Sequence, residues 1–246
     1  MATYAVILPA AGQSSRFHDK HYKKPFVPLD NRAVWLHSAE KFLNLDEVKQ
    51  VILVISPEDQ EEFQMKFGAN VAILGIDVVH GGSDRSASVE NALSRVRSEI
   101  DFIAVHDAAR PCIVDEWINT VFRAAEKSGA AILAKPVSAT LKRVNDDGTI
   151  AETVSRQSVW EAQTPQVFRR ELLLEAYAKR DSFQATDDSQ LVERIGHPVT
   201  VVEGSAINLK ITTKEDLRLA AQALKALPKP KLKGAGHPFA DDDMWR

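Results

Sequence analysis

The stretch that decides the fold is Ala5–Leu8, "AVIL", which runs directly into Pro9–Phe17, "PAAGQSSRF". Its apolar residues are continuous rather than alternating, as is typical of a strand that is covered on both faces. The same pattern returns in Val51–Ile55, "VILVI". Buried strands that end in small residues predict a parallel sheet whose ligand-binding loops gather at the carboxyl ends of the strands.

Outward from this stretch, short apolar segments alternate with segments whose apolar residues have helical spacing. The predicted strands are Tyr4–Leu8, Gln50–Ile55, Asp77–Val79, Phe102–Val105, Ala130–Ala134 and Val199–Val202. The predicted helices are Val34–Leu43, Glu58–Phe67, Ser86–Val96, Val114–Lys127, Glu171–Ala178 and Lys214–Leu227. This alternation predicts a three-layer α/β fold with a mostly parallel sheet.

One segment, Thr140–Arg156, interrupts the alternation. Two β-rich runs flank the turn residues Asn145–Gly148, which predicts a protruding β-hairpin arm over residues 140–156. An isolated hairpin is marginally stable in water, so we expect the arm to pack against something else, including a second subunit. After one domain over residues 1–227, prolines and glycines without periodicity predict an extended tail over 228–246.

Composition limits the classes of function. With 246 residues, a net charge of -3 and a pI near 6.2, the chain lacks the cationic surface that broad binding to nucleic acid or acidic membranes requires. The single cysteine, Cys112, excludes an intrachain disulfide and is expected to be a small buried residue. No signal peptide or membrane-spanning run is recognisable, and we expect a cytoplasmic protein.

The loop after the first strand is a candidate anion site. Ala10, Ala11 and Gly12 are small enough for backbone N–H groups to approach a ligand, and Arg16 and Lys24 could add charge for a polyphosphate. Neither common phosphate-binding glycine motif is present, so a plain solvated loop remains the alternative.

The loop after the third strand, "HGGSDRSASVENAL", contains the pair Gly81 and Gly82. The two glycines permit a tight turn and could present backbone groups to a base edge. Ser83 or Asp84 can cap the following helix, and a capped helix with no other role is the competing interpretation.

The loop after the fourth strand, "VHDAARP", places Asp107 where a carboxylate could hold a metal ion. A purely structural ion pair between Asp107 and Arg110 is the alternative. His106 is expected to be a packed side chain, because no second histidine or cysteine stands at zinc-ligand spacing.

Three later segments complete the series: "QTPQVF" from Gln163, "ATDDSQL" from Ala185 and "NLKITT" from Asn208. The acidic residues after Thr186 could simply begin a helix. Lys210 is predicted in a short strand-like piece, where a lysine that faced a buried site would need an anionic partner.

Eight motifs, in order from about Tyr4 to Leu224, resemble the 2-C-methyl-D-erythritol 4-phosphate cytidylyltransferase family. They read "PAAGQSSRF", "KKPF", "GGSDRSASV", "VHDAARP", "PVSATLKRV", "TVSRQSVWEAQTPQVF", "TDDSQLVE" and "NLKITT". The resemblance implies a Rossmann-like nucleotidyltransferase domain, a homodimer formed through the arm, and Mg²⁺-dependent transfer of CMP from CTP to methylerythritol phosphate. Ribitol 5-phosphate as the acceptor and a non-catalytic nucleotide-binding relative are the alternatives.

The resemblance also implies roles for individual residues. The catalytic cations would be Arg16, Lys24 and Lys210. Nucleotide would be held by Ala10, Ala11, Gly12, Gly82, Ser83, Ser88 and Asp107, and Asp107 would also be the metal ligand. The alditol phosphate would be bound by Asp107, Arg110, Thr140, Thr164, Thr186 and Lys210, together with Arg156 from the partner's arm. The chain departs from the family's usual pattern at Ser83, at Ala139 and at Lys23-Lys24-Pro25, which leaves Lys23 as the alternative to Lys24.

Overall fold

The computed structural model describes residues 1–12 and 24–227 of the chain. Its strands are β1 Tyr4–Pro9, β2 Pro28–Leu29, β3 Arg32–Ala33, β4 Val48–Ile55, β5 Asp77–His80, β6 Phe102–Val105, β7 Ala130–Pro136, β8 Leu141–Val144, β9 Ile150–Val154, β10 Trp160–Arg169 and β11 Thr200–Glu203. Its α-helices are α1 Val34–Leu43, α2 Gln60–Leu74, α3 Arg85–Leu93, α4 Asp115–Ser128, α5 Arg170–Ala178, α6 Asp188–Arg194 and α7 Lys214–Ala226. Short 3₁₀ turns cover Lys24–Phe26 and Pro57–Asp59.

A seven-stranded sheet in the order β11-β7-β10-β6-β1-β4-β5 forms the centre of the fold. β1 pairs in parallel with both β4 and β6, and β10 runs antiparallel to its neighbours β6 and β7. The chain leaves β1 toward β4 on one side and returns to β6 on the other. This reversal opens a crevice at the carboxyl ends of β1 and β6, where ligands bind in sheets of this type.

Helices cover both faces of the sheet, because successive residues of each buried strand point to opposite sides. Tyr4, Val6 and Leu8 of β1 join a core cluster with residues of α1, α2 and α4, whereas Ala5 and Ile7 join a second cluster with residues of α3, α5 and α6. The continuous apolar pattern of β1 therefore reflects two cores rather than one, and the predicted three-layer α/β fold is confirmed.

A third cluster packs α7 against the β2–β3 hairpin and the segment after β6. It includes Val27, Val34, Ala109, Cys112 and Ala220. Cys112 is fully buried, as expected, and burial raises the pKa of its thiol to about 12.

The predicted arm is confirmed as a two-stranded antiparallel sheet of β8 and β9, separate from the main sheet. The predicted helices and strands are confirmed with boundary shifts, the largest in α2, which extends from Gln60 to Leu74 instead of ending at Phe67. The sequence prediction missed β10, an antiparallel strand in the sheet, and the short β2–β3 hairpin. α6 begins after its N-cap Asp187, in agreement with the alternative that the acidic residues after Thr186 begin a helix.

Some predictions concern residues outside the described ones, namely Arg16, Lys23 and the tail over 228–246. The division at residue 227 stays a prediction. Among the helices that the structure describes, none has both the length and the apolarity needed to cross a bilayer.

Candidate active site

The loops that follow β1, β5 and β6 and the segment before α7 meet around one cavity of about 360 Å³. It lies at the carboxyl edge of the sheet, where the strand order reverses. Its described lining consists of Pro9, Ala10, Ala11, Gly12, Pro25, Gly82, Ser83, Asp84, Arg85, Ser88, Asp107, Ala109 and Lys210. The structure therefore brings together all seven predicted nucleotide-binding residues and Lys210, which come from distant parts of the chain.

The glycine pair after β5 is required by close packing. Gly81 N donates to Ile55 O at 2.8 Å, and a Cβ at Gly81 would lie 2.5 Å from Ala11 Cβ. A Cβ at Gly82 would lie 2.5 Å from Ala87 Cβ. A larger residue at Gly81 would push the loops after β1 and β5 apart, and one at Gly82 would displace the first turn of α3, so this wall of the cavity depends on glycine.

The start of α3 is organised by Ser88 and Asp84. Asp84 is the N-cap, and its side chain accepts a hydrogen bond from Ala87 N at 2.8 Å. Ser88 Oγ donates to Asp84 O at 2.8 Å and accepts from Gly82 N at 3.1 Å. The hydroxyl of Ser88 thus shapes the glycine turn, and only one of its lone pairs is left for a ligand.

Asp107 is the centre of a cluster of charges. Its Oδ2 atom lies 3.1 Å from Arg110 Nε and 3.0 Å from Lys210 Nζ, and its side chain is 10% exposed. Burial alone would raise the pKa of Asp107, but the cations of Lys210, Arg85 and Arg110 outweigh burial and hold the pKa well below its usual range. Asp107 is therefore ionised at neutral pH and is not a proton donor there.

His106 and Thr164 fix the backbone beside Asp107. Thr164 Oγ1 accepts from Asp107 N at 3.0 Å and lies 3.1 Å from His106 Nδ1, while His106 Nε2 lies 3.1 Å from Arg110 O. Because a carbonyl oxygen can only accept, Nε2 carries the proton and donates to Arg110 O, and the Thr164 hydroxyl donates to Nδ1. Burial lowers the pKa of His106 to about 4, so the imidazole is neutral and positions the loop, as predicted for a packed histidine.

Lys210 lies in an irregular loop, not in the predicted strand-like piece. The loop is held by Ile211 N, which donates to Ala109 O at 2.9 Å, and by the capping box of Thr213 and Asp216 at the start of α7. Asp216 Oδ2 also accepts from Thr212 N at 2.8 Å. The expected anionic partner of Lys210 is Asp107, which pairs with it at 3.0 Å.

The remaining predicted residues lie around the cavity rather than in its described lining. Arg110 is tied to Asp107 and to Asn208 O, and Thr164 is buried with its hydroxyl engaged. Thr186 lines a neighbouring depression with Trp160 and Gln190. Two further predicted site residues, Thr140 and Arg156, belong to the exposed arm. Arg156 Nη1 donates to Ser138 O. Lys24 begins the 3₁₀ turn next to the lining residue Pro25.

Sequence reasoning missed Arg85, a lining residue at the first position of α3. Its Nη2 atom lies 2.7 Å from Asp188 Oδ2. Burial by itself would lower the pKa of Arg85, but the carboxylates of Asp188 and Asp107 raise it above the ordinary value. The available signal was its position in "GGSDRSASV", between the glycine turn and Ser88.

The described lining contains two carboxylates, and because Asp84 caps α3, Asp107 is the candidate metal ligand. Within residues 1–12 and 24–227, no three His, Cys, Asp or Glu side chains are grouped to hold a metal by themselves. A single carboxylate suits Mg²⁺ bound largely by substrate phosphates, since Mg²⁺ in such sites takes one or two carboxylates and keeps the rest of its shell for phosphate and water.

Comparison with known proteins matches this architecture to one family. A family model described as "IspD: 2-C-methyl-D-erythritol 4-phosphate cytidylyltransferase" matches residues 4–226. The enzyme of that name from Rhodopirellula baltica is 43% identical over 91% of this chain and 95% of its own length. The one from Endomicrobium trichonymphae is 41% identical over 90% of this chain and 99% of its own.

Solved structures agree in fold. The 2-C-methyl-D-erythritol 4-phosphate cytidylyltransferase of Thermus thermophilus has a TM-score of 0.75 and 32% identity over 92% of this chain and all of its own. The 4-diphosphocytidyl-2C-methyl-D-erythritol synthase of Anaerococcus prevotii has a TM-score of 0.76 and 29% identity, over 91% of this chain and 96% of its own.

Proposed function

Because the chain belongs to the 2-C-methyl-D-erythritol 4-phosphate cytidylyltransferase family, we propose that the cavity at the carboxyl edge of its sheet is where CTP and the acceptor phosphate react. The chain is a nucleotidyltransferase that transfers CMP from CTP to 2-C-methyl-D-erythritol 4-phosphate in isoprenoid precursor biosynthesis. The relatives do not favour ribitol phosphate as the acceptor, and they argue against a non-catalytic protein.

One observation carries the assignment of the site. Residues from distant segments of the chain, such as Ala11, Asp107 and Lys210, line a single cavity. The small residues of Ala10–Gly12 support the triphosphate, since a phosphate can approach the backbone closely at Gly12, where a Cβ would meet nothing within 4 Å. The N–H of Ala10 itself is bonded to Val54 O at 2.8 Å. The turn at Gly82 and Ser83 supports the cytosine, because its backbone can approach a base edge closely.

The chemistry requires positioning and charge rather than a protein nucleophile. An oxygen of the acceptor phosphate attacks the α-phosphorus of CTP, a new P–O bond forms, and the bond to the β-phosphate oxygen breaks to release pyrophosphate. The attacking oxygen is already ionised near neutral pH, so no general base is needed. This agrees with a site in which Asp107 stays ionised and His106 stays neutral.

Two like-charged substrates must be brought together, and cations lower the cost of doing so. Lys210 lines the cavity with 40% of its side chain exposed, so its ammonium can exchange Asp107 for a phosphate oxygen. Arg16 and Lys24 are proposed to act on the triphosphate from the segment after β1. Arg110 keeps Asp107 oriented while Lys210 engages substrate.

A divalent metal, proposed to be Mg²⁺, would be held by Asp107 together with oxygens of the triphosphate. When bound, it would neutralise phosphate charge and draw electron density from the α-phosphorus. Asp107 fits this role because its carboxylate is ionised and lines the cavity.

The arm supports a homodimer in which each chain completes the other's site. Val144 and Ile150 are 55% and 61% exposed, which is unusual for paired apolar residues of a hairpin. Arg156 and Thr140 are exposed at its base and do not line the described cavity of their own chain. We propose that the partner's arm brings Arg156 to the alditol phosphate, beside Thr186.

The direct test of the activity is pyrophosphate release from CTP and Mg²⁺ with methylerythritol phosphate or ribitol 5-phosphate as acceptor. Turnover is expected with the first, and kcat/KM with the second should be much lower. Absence of turnover with methylerythritol phosphate would refute the proposal.

Sedimentation of Val144→Asp and Ile150→Asp variants tests the dimer, because an added charge in a buried interface should shift the protein toward monomer.

The choice between the two lysines can be tested separately. Lys24→Ala should lower kcat by about 10²-fold, as expected for one lost contact to transition-state charge. Lys23→Ala is the matched control and should leave turnover near normal. The opposite result would assign the catalytic role to Lys23.

A further inference from the structure

Arg85 connects the cavity to α6 through a buried ion pair. Its side chain is 27% exposed and lines the cavity, and its Nη2 atom lies 2.7 Å from Asp188 Oδ2. The carboxylate of Asp188 is fully buried, and Tyr177 Oη donates to its second oxygen at 2.6 Å. Both oxygens of Asp188 are therefore engaged, one of them by a cavity residue.

The other end of this connection is fixed by β10. Gln166 Oε1 accepts from Asp188 N at 3.1 Å and from Ser189 N at 3.0 Å, and Gln166 Nε2 donates to Asp187 Oδ2 at 2.8 Å. Gln166 is 1% exposed. Two residues earlier on the same strand, Thr164 holds the backbone of Asp107. The "TPQ" segment thus fixes both the Asp107 loop and the start of α6.

The ion pair lies next to the glycine turn. Arg85 directly follows Asp84, the N-cap of α3, whose carbonyl accepts from Ser88 Oγ. The same hydroxyl accepts from Gly82 N. A shift of Arg85 would therefore move Asp84 and Ser88, and with them the backbone of Gly82.

Net stability is a poor explanation for such a pair. Desolvation of two buried charges largely cancels their attraction, and well-packed apolar residues often stabilise as much or more. A guanidinium held by a fully buried carboxylate nevertheless has a defined position. Active-site geometry needs this precision, since displacements of about 1 Å can cost about 10²-fold in rate.

We propose that Arg85 is a positioning residue for nucleotide selection, because its ion pair with Asp188 fixes the turn of Gly82 and Ser88 against β10. The inference rests on the proposed function, in which this turn contacts the cytosine. Discrimination between CTP and UTP depends on donors and acceptors at the base edge, and a displaced turn presents them at the wrong distance.

The test compares kcat/KM for CTP and for UTP in the full chain, with methylerythritol phosphate as the acceptor. Arg85→Gln and Asp188→Asn should each lower the CTP-to-UTP ratio by about tenfold or more. The double variant should be no worse than the worse single variant, since both remove the same contact. Arg85→Lys keeps the charge and should recover part of the ratio. Arg218→Gln, which removes an exposed cation on α7, should leave the ratio unchanged.

The outcomes are distinct. If Arg85→Gln fails to fold because Asp188 is left unpaired, the near-isosteric Asp188→Asn and the double variant still decide the matter. Variants that melt earlier but keep the wild-type ratio would overturn the inference and leave the pair a structural role only. A wild-type ratio near one would overturn it too. Absence of wild-type turnover with CTP would refute the proposed function instead.

Discussion

The loop around Asp107 and the arm formed by β8 and β9 both pair opposite charges, but in different surroundings. In the loop, Asp107 meets Lys210 and Arg110 with 10% of its side chain exposed. In the arm, Arg143 Nε lies 2.6 Å from Glu152 Oε1, and the two side chains are 66% and 56% exposed. The contact distances alone would not separate these pairs. Burial strengthens the attraction between the opposite charges of the loop and makes an unpaired charge there costly. In the arm, water and salt weaken the attraction between Arg143 and Glu152.

The largest effect is expected for Lys210→Ala. The change removes a cation from the cavity and leaves Asp107 with fewer compensating charges, so kcat should fall by about 10²-fold or more. Steady-state pyrophosphate release measures this. Lys179→Ala removes the exposed pair with Glu175 and should leave kcat unchanged. A normal kcat in the Lys210→Ala enzyme would show that Lys210 is not a catalytic residue.

The second prediction concerns the pH dependence of stability near the buried loop. Unfolded His106 takes up a proton below its ordinary pKa of 6.5, whereas the buried imidazole stays neutral down to about 4. The unfolded state therefore binds more protons in this window, and the free energy of unfolding should fall as pH decreases from 6.5 to 4, by up to about 3 kcal/mol.

Urea unfolding at several pH values measures the contribution of His106. His106→Gln should flatten the slope between pH 6.5 and 4, and His197→Gln, outside the site, should not. Asp107 contributes in a different window, since its depressed pKa means that its stabilisation is lost only as pH falls below about 3.8. An unchanged slope in His106→Gln would show that other groups dominate.

A third, smaller effect is expected for Gly82→Ala. The added Cβ would lie 2.5 Å from Ala87 Cβ and 3.0 Å from the Ala87 carbonyl carbon, so the start of α3 must move. KM for CTP should rise by about tenfold, on the order of 1.4 kcal/mol, with less change in kcat. Gly68→Ala is the matched control, because its Cβ would meet only the flexible end of Gln64. Equal KM values in the two variants would contradict the close packing of the turn.

The smallest effect is expected in the arm. Arg143→Gln breaks an exposed pair and should change the free energy of unfolding by no more than about 1 kcal/mol. Urea unfolding at fixed protein concentration checks this. A fall of several kcal/mol in the free energy of unfolding would show that the pair is buried against a partner. The pairs of the arm and of the Asp107 loop would then not differ in burial.

Much of the site was predictable because motif residues follow strands. Gly82 and Asp107 each lie in a loop that the α/β pattern places at one edge, and each lines the cavity. The position of Arg85 in "GGSDRSASV" could have placed it near the cavity, but its ion pair with Asp188, 103 residues later, was not predictable from its neighbours. Likewise Thr164 matches a motif, yet its contact with His106 depends on β10 lying beside β6.

The sequence by itself determined the layered α/β architecture, the arm and the loops that bear the site. Those features depend on local patterns: apolar runs without alternation, helical spacing, and small residues after strands. Only the tertiary structure decided the placement of β10 between β6 and β7, the irregular loop of Lys210 and the partners of Asp107, Asp188 and His106. Those features depend on which distant segments become neighbours and on how much water is excluded between them. Local sequence patterns do not predict which distant segments meet or how much water is excluded, because burial and pairing of charges arise only when the chain has folded.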